Sequence, residues 1–285
     1  MITRAASRLL WGLLLLTAAL TLFASTQGAM DVSLASLWYG DDERLRQIWF
    51  TIRLPRVLLA PLVGAALALS GCVMQGLFRN PLADPGLLGI SSGAALVVGC
   101  WLVLPLSVPV LIALYAPLVA AFIGSLAVMV VIFLLSKTGE SALSRLLLLG
   151  IAINALCGAG VGVLAWISND AQLRQLSQWG MGSLGQAQWP TLIVTATLIL
   201  PAMLGIWRVA KQLNFLQLGE EEAHYLGVDV RRLQRRLLLC SALLVAASVA
   251  ISGIIGFVGL VVPHLIRMVL GPDHQHQIPG SLLAG

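Results

Sequence analysis

The sequence predicts an all-α, polytopic transmembrane helix bundle, and three observations carry that class. Of the 285 residues, 59% are apolar and only 10% charged, where soluble domains run near half apolar and a quarter charged. Apolar runs of about 20 residues, the length that crosses a bilayer as helix, recur along the chain. These runs are apolar on every face, whereas barrel strands alternate apolar and polar residues.

Eight spans are expected, at 9–27, 55–77, 87–105, 109–135, 144–167, 190–209, 235–252 and 256–271. The first follows Arg4 and Arg8 and reads as a membrane helix rather than a cleaved signal, because its run is long and further spans follow. The second opens with "RLPR" (53–56), and the third follows the interruption "RNPLADPGLLGISSG" (79–93). Lys137 and Arg145 mark an inner segment between spans four and five, and Arg174 an outer one between five and six. The stretch 208–236 separates six from seven, and Arg267 sits at the inner end of the eighth. With the N-terminus inside, the inner segments hold 12 of the 17 basic residues and the outer ones 5, including Arg44 and Arg46. That is the positive-inside bias. Trp11, Trp49, Trp166, Trp189 and Trp207 fall near span ends, as an aromatic belt requires. The net charge of +5 therefore reflects topology, and no interleaving of basic and aromatic residues suggests nucleic acid. The end, "IPGSLLAG" (278–285), begins an apolar run that stops before crossing. It reads as a re-entrant tail or as part of a longer chain.

Displaced by 182 residues, "LALSGCVMQGLFRNPLADPGLLG" lies over "VAISGIIGFVGLVVPHLIRMVLG". Ser70 then meets Ser252, Gly71 meets Gly253, Pro81 meets Pro263 and Gly89 meets Gly271. An odd number of spans separates the copies, so the repeat has inverted topology, an arrangement typical of transporters. At 79–93, backbone freed by Pro81 and Pro85 has to be buried in protein or line a wet cavity if it lies at membrane depth. Asn80 and Asp84 can bond the freed groups, and "SSG" permits close helix contact. The other reading is an ordinary cytoplasmic turn.

Catalytic chemistry finds no support. Cys72, Cys100, Cys157 and Cys240 are isolated within apolar runs and read as structural. His274 and His276, in "PDHQH", read as a solvated loop, and His264 as a helix-packing residue. No phosphate-binding G-x-x-x-x-G-K-[ST] loop exists. No carboxylate lies deep in a span, which counts against a proton or sodium relay. The inner segment 208–236 interleaves Leu216, Leu218, Ala223, Leu226 and Val228 with Glu220, Glu221, Glu222 and Asp229. Gly219 and Gly227 punctuate a short helix whose N-terminal acids complement its dipole. It is either a solvated surface helix or a docking surface for a soluble partner, the latter suggested by Tyr225 and Leu226. Arg53 and Arg56 run against the positive-inside bias; capture of a partner's carboxylates and contact with lipid headgroups both account for them.

Together these stretches resemble the permease subunit of type II ABC importers, which handle ferric siderophores, haem and cobalamin. The likeness rests on "RLPRVLLAPLVGAALALSGCVMQGLFRNPLADPGLLGISSGAAL", "QWGMGSL" (178–184), "LGEEEAHYLGV" (218–228) and "GFVGLVVPHLIRMVLG" (256–271). It implies a single permease domain over 1–285 in the inner membrane, with the N-terminus cytoplasmic. Ten spans are expected in the family, of which about eight are present, so two would be missing at the C-terminal end. The implied partners are a second copy of the chain, a cytoplasmic ABC ATPase dimer and a periplasmic substrate-binding protein. No cofactor would be bound by this chain, ATP and Mg belonging to the ATPase. By position, Arg53 and Arg56 would receive carboxylates of the binding protein. Asn80 and Leu82 would form the inner gate, with Leu143 and Ser144 as its neighbouring element. Gly219, Glu220, Glu221, Ala223, Leu226 and Gly227 would belong to the coupling helix seated in the ATPase.

A path lined by residues such as Met74, Gln75, Ser91, Ser92 and Asn154, with no fixed cation cluster, suits a bulky, largely apolar chelate. Among the chelates, likeness of "LGEEEAHYLGV" to haem-type members favours haem, then ferric siderophores, with cobalamin third. A secondary transporter driven by an ion gradient is the rival from another class. A membrane enzyme would need a nucleophile–base pair that the sequence does not offer.

Overall fold

A computed structural model describes residues 4–28, 43–104, 110–135 and 142–285, without the side chains of 4–5, 110–114 and 142–144. Among the described residues every regular element is helical. Helix α1 spans Arg4–Thr26. Helix α2 (Glu43–Ile48), a π-helical turn (Trp49–Arg53) and α3 (Leu54–Leu77) follow without a gap, giving one 35-residue run. A 3-10 turn at Pro85–Leu88 leads into α4 (Ile90–Val103). Then come α5 (Val110–Leu135), α6 (Ala142–Ile167), α7 (Asp170–Gly180) and α8 (Trp189–Trp207). Two short helices, α9 (Ala210–Leu216) and α10 (Glu220–Tyr225), precede α11 (Val230–Ser252). The chain continues through α12 (Val258–Leu270) and α13 (His274–Ala284).

Six of these helical runs are long and apolar enough to cross a membrane. They match six of the eight expected spans. The other two, at 87–105 and 256–271, are shorter: α4 has 14 residues and α12 has 13. At 1.5 Å per residue each reaches about 20 Å, short of the ~30 Å apolar core. Breaks cause the shortening. Pro85 and the left-handed Gly89 (φ 76°) set the start of α4, and Gly253 (φ 68°) ends α11.

Helix α3 is the central post, with α8, α11, α12 and α13 packed around it. Sixteen of its residues are buried, Val63 and Ala65–Leu77 among them. Small residues allow the closest approaches: a side chain on Gly71 would run into the Gly259 carbonyl, and one on Gly64 into Gly285. Ser70 Oγ donates to the Ser241 carbonyl at 3.3 Å, joining α3 to α11. The two helices run antiparallel. Arg56, near the start of α3, and Ser252, at the end of α11, both meet the 183–185 loop. Gly76, near the end of α3, meets Leu213, which lies ahead of α11.

The inverted repeat appears as long helix, break, short helix in both halves: α3 with α4, and α11 with α12. The residue pairs at a displacement of 182 do not carry over. Ser70 lies inside α3 whereas Ser252 is the last residue of α11. Pro81 lies in a turn whereas Pro263 lies inside α12. Shared small residues suggested a register that the breaks do not keep. The final segment 274–284 is helical and lies along α3.

Candidate functional site

The interruption after α3 divides into two parts. Asn80 and Leu82 are exposed, Leu82 by 67%. Asn80 holds the turn: its Oδ1 accepts from the Leu82 amide (2.9 Å) and its own amide donates to the Gln75 carbonyl (3.1 Å). From Ala83 onward the chain turns back into the protein. Ala83, Pro85 and Leu88 are buried, and Gly259 is close enough that a side chain there would touch Pro85 (3.0 Å) and the Leu67 carbonyl (3.1 Å). Leu67 is ten residues before the last residue of α3, Leu77. The 3-10 turn is therefore buried well inside the bundle, not a solvated turn, as irregular backbone at membrane depth requires.

Its freed polar groups have partners. Asp84 Oδ1 accepts from the Gly86 amide (2.6 Å), as expected of this residue. Asn154, on α6, donates through Nδ2 to the Gly86 carbonyl (3.1 Å), and its Oδ1 accepts from Ser92 Oγ. Gly150, one turn before Asn154, has no room for a side chain against the Leu87 carbonyl. Asn154 and Ser92, expected as path-lining, thus brace the break. Gln75, expected likewise, is buried and donates to the Leu260 carbonyl (3.0 Å). For the neighbouring gate element, Leu143 and Ser144, the side chains lie outside the described residues; the backbone of both belongs to the first turn of α6.

The 208–236 segment sorts its apolar residues into two sets. Leu213, Leu216, Ala223 and Val228 are buried, while Leu218, Tyr225 (86% exposed) and Leu226 (54%) face outward with Phe215. Ala223 is fully buried, so within the expected coupling set it anchors α10 to its own chain and offers no surface to a partner. Gly219 (φ 141°) and Gly227 (φ 86°) hold backbone conformations that side-chain-bearing residues avoid. Glu220 Oε1 accepts from Gln234 Nε2 (2.9 Å), fixing α10 against α11. Glu221 is exposed. Asp229 caps α11 and pairs with Arg232 at 2.9 Å.

At the opposite end, Arg53 is half-buried and donates through Nη1 to the Thr26 carbonyl (3.0 Å), at the end of α1. A cation there complements the helix dipole. Arg56 is exposed and donates through Nη2 to the Gly185 carbonyl (2.7 Å). Trp189 stacks near Phe50 (centroids 5.1 Å) and donates to its carbonyl (2.9 Å). The arginine pair thus stands on a rim fastened to its neighbours.

The "PDHQH" pair is not a solvated loop. His274 is 1% exposed and His276 is buried, because Asp273 caps a helix that packs into the bundle. The Asn214 Nδ2 donates to Asp273 Oδ1 (2.7 Å), and the His274 amide donates to Asn214 Oδ1 (2.8 Å). The imidazole Nδ1 lies 3.1 Å from that oxygen and against the Gln217 carboxamide. Gln217 also donates to the Pro272 carbonyl (3.0 Å). Burial, reinforced by Arg267 and only partly opposed by Asp273, lowers the imidazole to about 4, so the ring is neutral. Asn214 and Gln217 were absent from the sequence-derived candidates. Their partners lie some 60 residues away, and the one local signal was Asp273, an N-cap residue after a proline.

The sequence profile of the FecCD transport family matches residues 12–285. The chain is 61% identical over 285 residues to the hemin transport system permease protein HmuU of Yersinia pestis, covering 99% of this chain and 85% of that one. It is 38% identical over 279 residues to the vitamin B12 import system permease protein BtuC of Vibrio cholerae, covering 98% and 81%. A solved structure, described as an inward-facing conformation of a transporter assigned to the metal-chelate ABC type, superposes with a TM-score of 0.87 at 34% identity. The match covers 97% of this chain and 86% of that one.

Proposed function

The chain belongs to the FecCD transport family, and on that premise we propose that it is the permease subunit of an ATP-driven importer that carries haem from periplasm to cytoplasm. One observation carries the substrate: 61% identity over 99% of the chain with a hemin transport permease. Identity with the vitamin B12 permease is 38%, which puts cobalamin second. Among the described residues no group of three or more His, Cys, Asp or Glu side chains could hold a metal ion, which also suits a bulky chelate better than a bare metal ion.

In this reading 1–285 is one membrane domain of the inner membrane, N-terminus cytoplasmic, that pairs with a second copy around the path. Phe215, Leu218, Tyr225 and Leu226 dock the ATPase, which binds ATP and Mg. Arg56, with Arg53 behind it, receives carboxylates of the periplasmic binding protein. Asn80 and Leu82, beside Leu143 and Ser144, close the inner end.

The test is uptake into proteoliposomes holding this chain, its ATPase and its binding protein. Haem, a ferric siderophore and cobalamin are each offered with and without ATP. ATP-dependent haem uptake is expected. Cobalamin as the only cargo would overturn the substrate, and uptake driven by an ion gradient without ATP would overturn the importer itself.

A further inference from the structure

We infer that the polar knot of Asn214, Gln217, Asp273 and the buried His274, seated on Gly76, is the joint that passes movement of the coupling segment to the gate turn at Asn80–Leu82. The inference rests on the importer reading above. It concerns side chains that belong neither to the proposed docking set nor to the gate, and so adds positioning residues to the transport cycle.

The connection is continuous. Asn214 and Gln217 stand at the end of α9, a few residues before α10 and its exposed Tyr225 and Leu226. Their side chains bond the backbone and side chains of Pro272, Asp273 and His274, as given above. The His274 ring then lies against Gly76 of α3, where a side chain would collide with its Nε2. Leu213 of α9 packs on the same glycine, so that a side chain there would lie 3.2 Å from its methyl. Gly76 is the penultimate residue of α3. Its neighbour Gln75 accepts from the Asn80 amide through its carbonyl and donates through its side chain to α12. A displacement of α9 therefore reaches the Asn80 turn through directly touching groups.

The knot also has the mechanical properties a joint needs. Its members are bonded to one another, so it moves as a unit, and the buried His274 cannot part from Asn214 and Gln217 without leaving unsatisfied groups. Gly76 allows the ring to sit directly on the α3 backbone, with no flexible side chain between to absorb a shift. Leu213 and Leu216, buried beside it, are apolar side chains that slide without such a penalty.

The experiment measures haem delivered per ATP hydrolysed in proteoliposomes with the ATPase and binding protein, alongside ATPase co-purification. Asn214→Ala and Gln217→Ala are expected to keep co-purification and ATP hydrolysis but to lower the ratio at least tenfold. Asp273→Asn, which retains an oxygen acceptor for Asn214, is expected to hold the ratio within about twofold of wild type. A wild-type ratio in both alanine variants would overturn the inference, as would a proportional fall in hydrolysis and uptake, the mark of mere structural damage. Loss of assembly in both variants would overturn it too, because the knot would then be part of the docking surface. A wild-type chain that shows no ATP-dependent uptake would unseat the importer reading and this inference with it. Wild-type uptake with unaffected variants would unseat the inference alone.

Discussion

The brace between α6 and the buried 3-10 turn can be broken with one methyl group. In Gly150→Ala the new Cβ would stand 2.9 Å from the Leu88 Cα and 3.1 Å from the Leu87 carbonyl carbon, with the carbonyl oxygen closer still. Carbon atoms in contact prefer 3.5–4.0 Å, so the turn has to retreat by roughly 1 Å. The obstacle is backbone, which cannot rotate aside as a side chain does. Retreat would also stretch the hydrogen bond from Asn154 to the Gly86 carbonyl, already at 3.1 Å. Overpacking of this kind costs about 1–3 kcal/mol, which for a domain of this size lowers the unfolding temperature by roughly 2–5 °C. The assay is thermal unfolding of the purified chain in detergent. Gly158→Ala and Gly162→Ala supply the control on the same helix, since nothing lies within 4 Å of either position. Both should be neutral or slightly stabilising, as alanine is the better helix former. If Gly150→Ala unfolds at the same temperature as these two, the close approach of α6 to the break is wrong.

Three further outcomes are expected. Leu226→Asp should abolish ATPase co-purification while membrane insertion stays normal, whereas Ala223→Asp should lower the yield of folded chain itself, because Ala223 is buried; co-purification unchanged by Leu226→Asp would remove Leu226 from the docking surface. Arg56→Glu should weaken binding-protein docking severalfold and flatten its salt dependence, since a charge-assisted pair becomes repulsive. Equal docking at low salt would leave the arginine to lipid headgroups. Finally, His274 is held neutral down to about 4, against an ordinary value of 6.5. The unfolded chain therefore binds an extra proton between those values, and stability falls as pH drops from about 6.5 to about 4, by on the order of 3 kcal/mol. Unfolding temperature measured across that window should fall in the wild type and level out in His274→Gln; identical profiles would contradict the buried imidazole.

The helices and their order were legible because lipid demands long apolar runs, and six of the expected spans are present as long helices. The breaks were legible as interruptions but not as positions in depth. Pro81, Pro85 and the glycines announce that helix stops near residue 80, yet only the approach of Gly259 to Pro85 and Leu67 shows the chain folding back inside. The α10 boundaries followed from Gly219 and Gly227, and the acids at its start from the dipole. Which of its apolar residues face outward did not follow, since Leu216 and Leu218 are two apart and point opposite ways. The histidines failed for a related reason. A polar run with two imidazoles reads as solvated unless its partners are known, and Asn214 and Gln217 come from a different stretch altogether.

The two breaks meet, and this bears on how the molecule moves. Gly259, in the first turn of α12, lies between Pro85 of the first break and the Leu67 and Gly71 backbone of α3. The second break, residues 253–257, runs inward from the loop at Gly182–Ser183 to reach this point, with Phe257 in a left-handed conformation (φ 66°) just before α12 begins. Glycine at 71 and 259 removes the side chains that would otherwise cushion the contact. Close-packed interiors of this kind transmit displacement rather than absorb it. A shift of the 84–89 turn would therefore be felt at the start of α12. From there it would pass to the 253–257 segment and to the loop that bonds Ser252 and Arg56. The first break and the Arg56 loop are in this way joined through touching groups, the Gly71–Gly259 contact and the Gln75–Leu260 hydrogen bond among them.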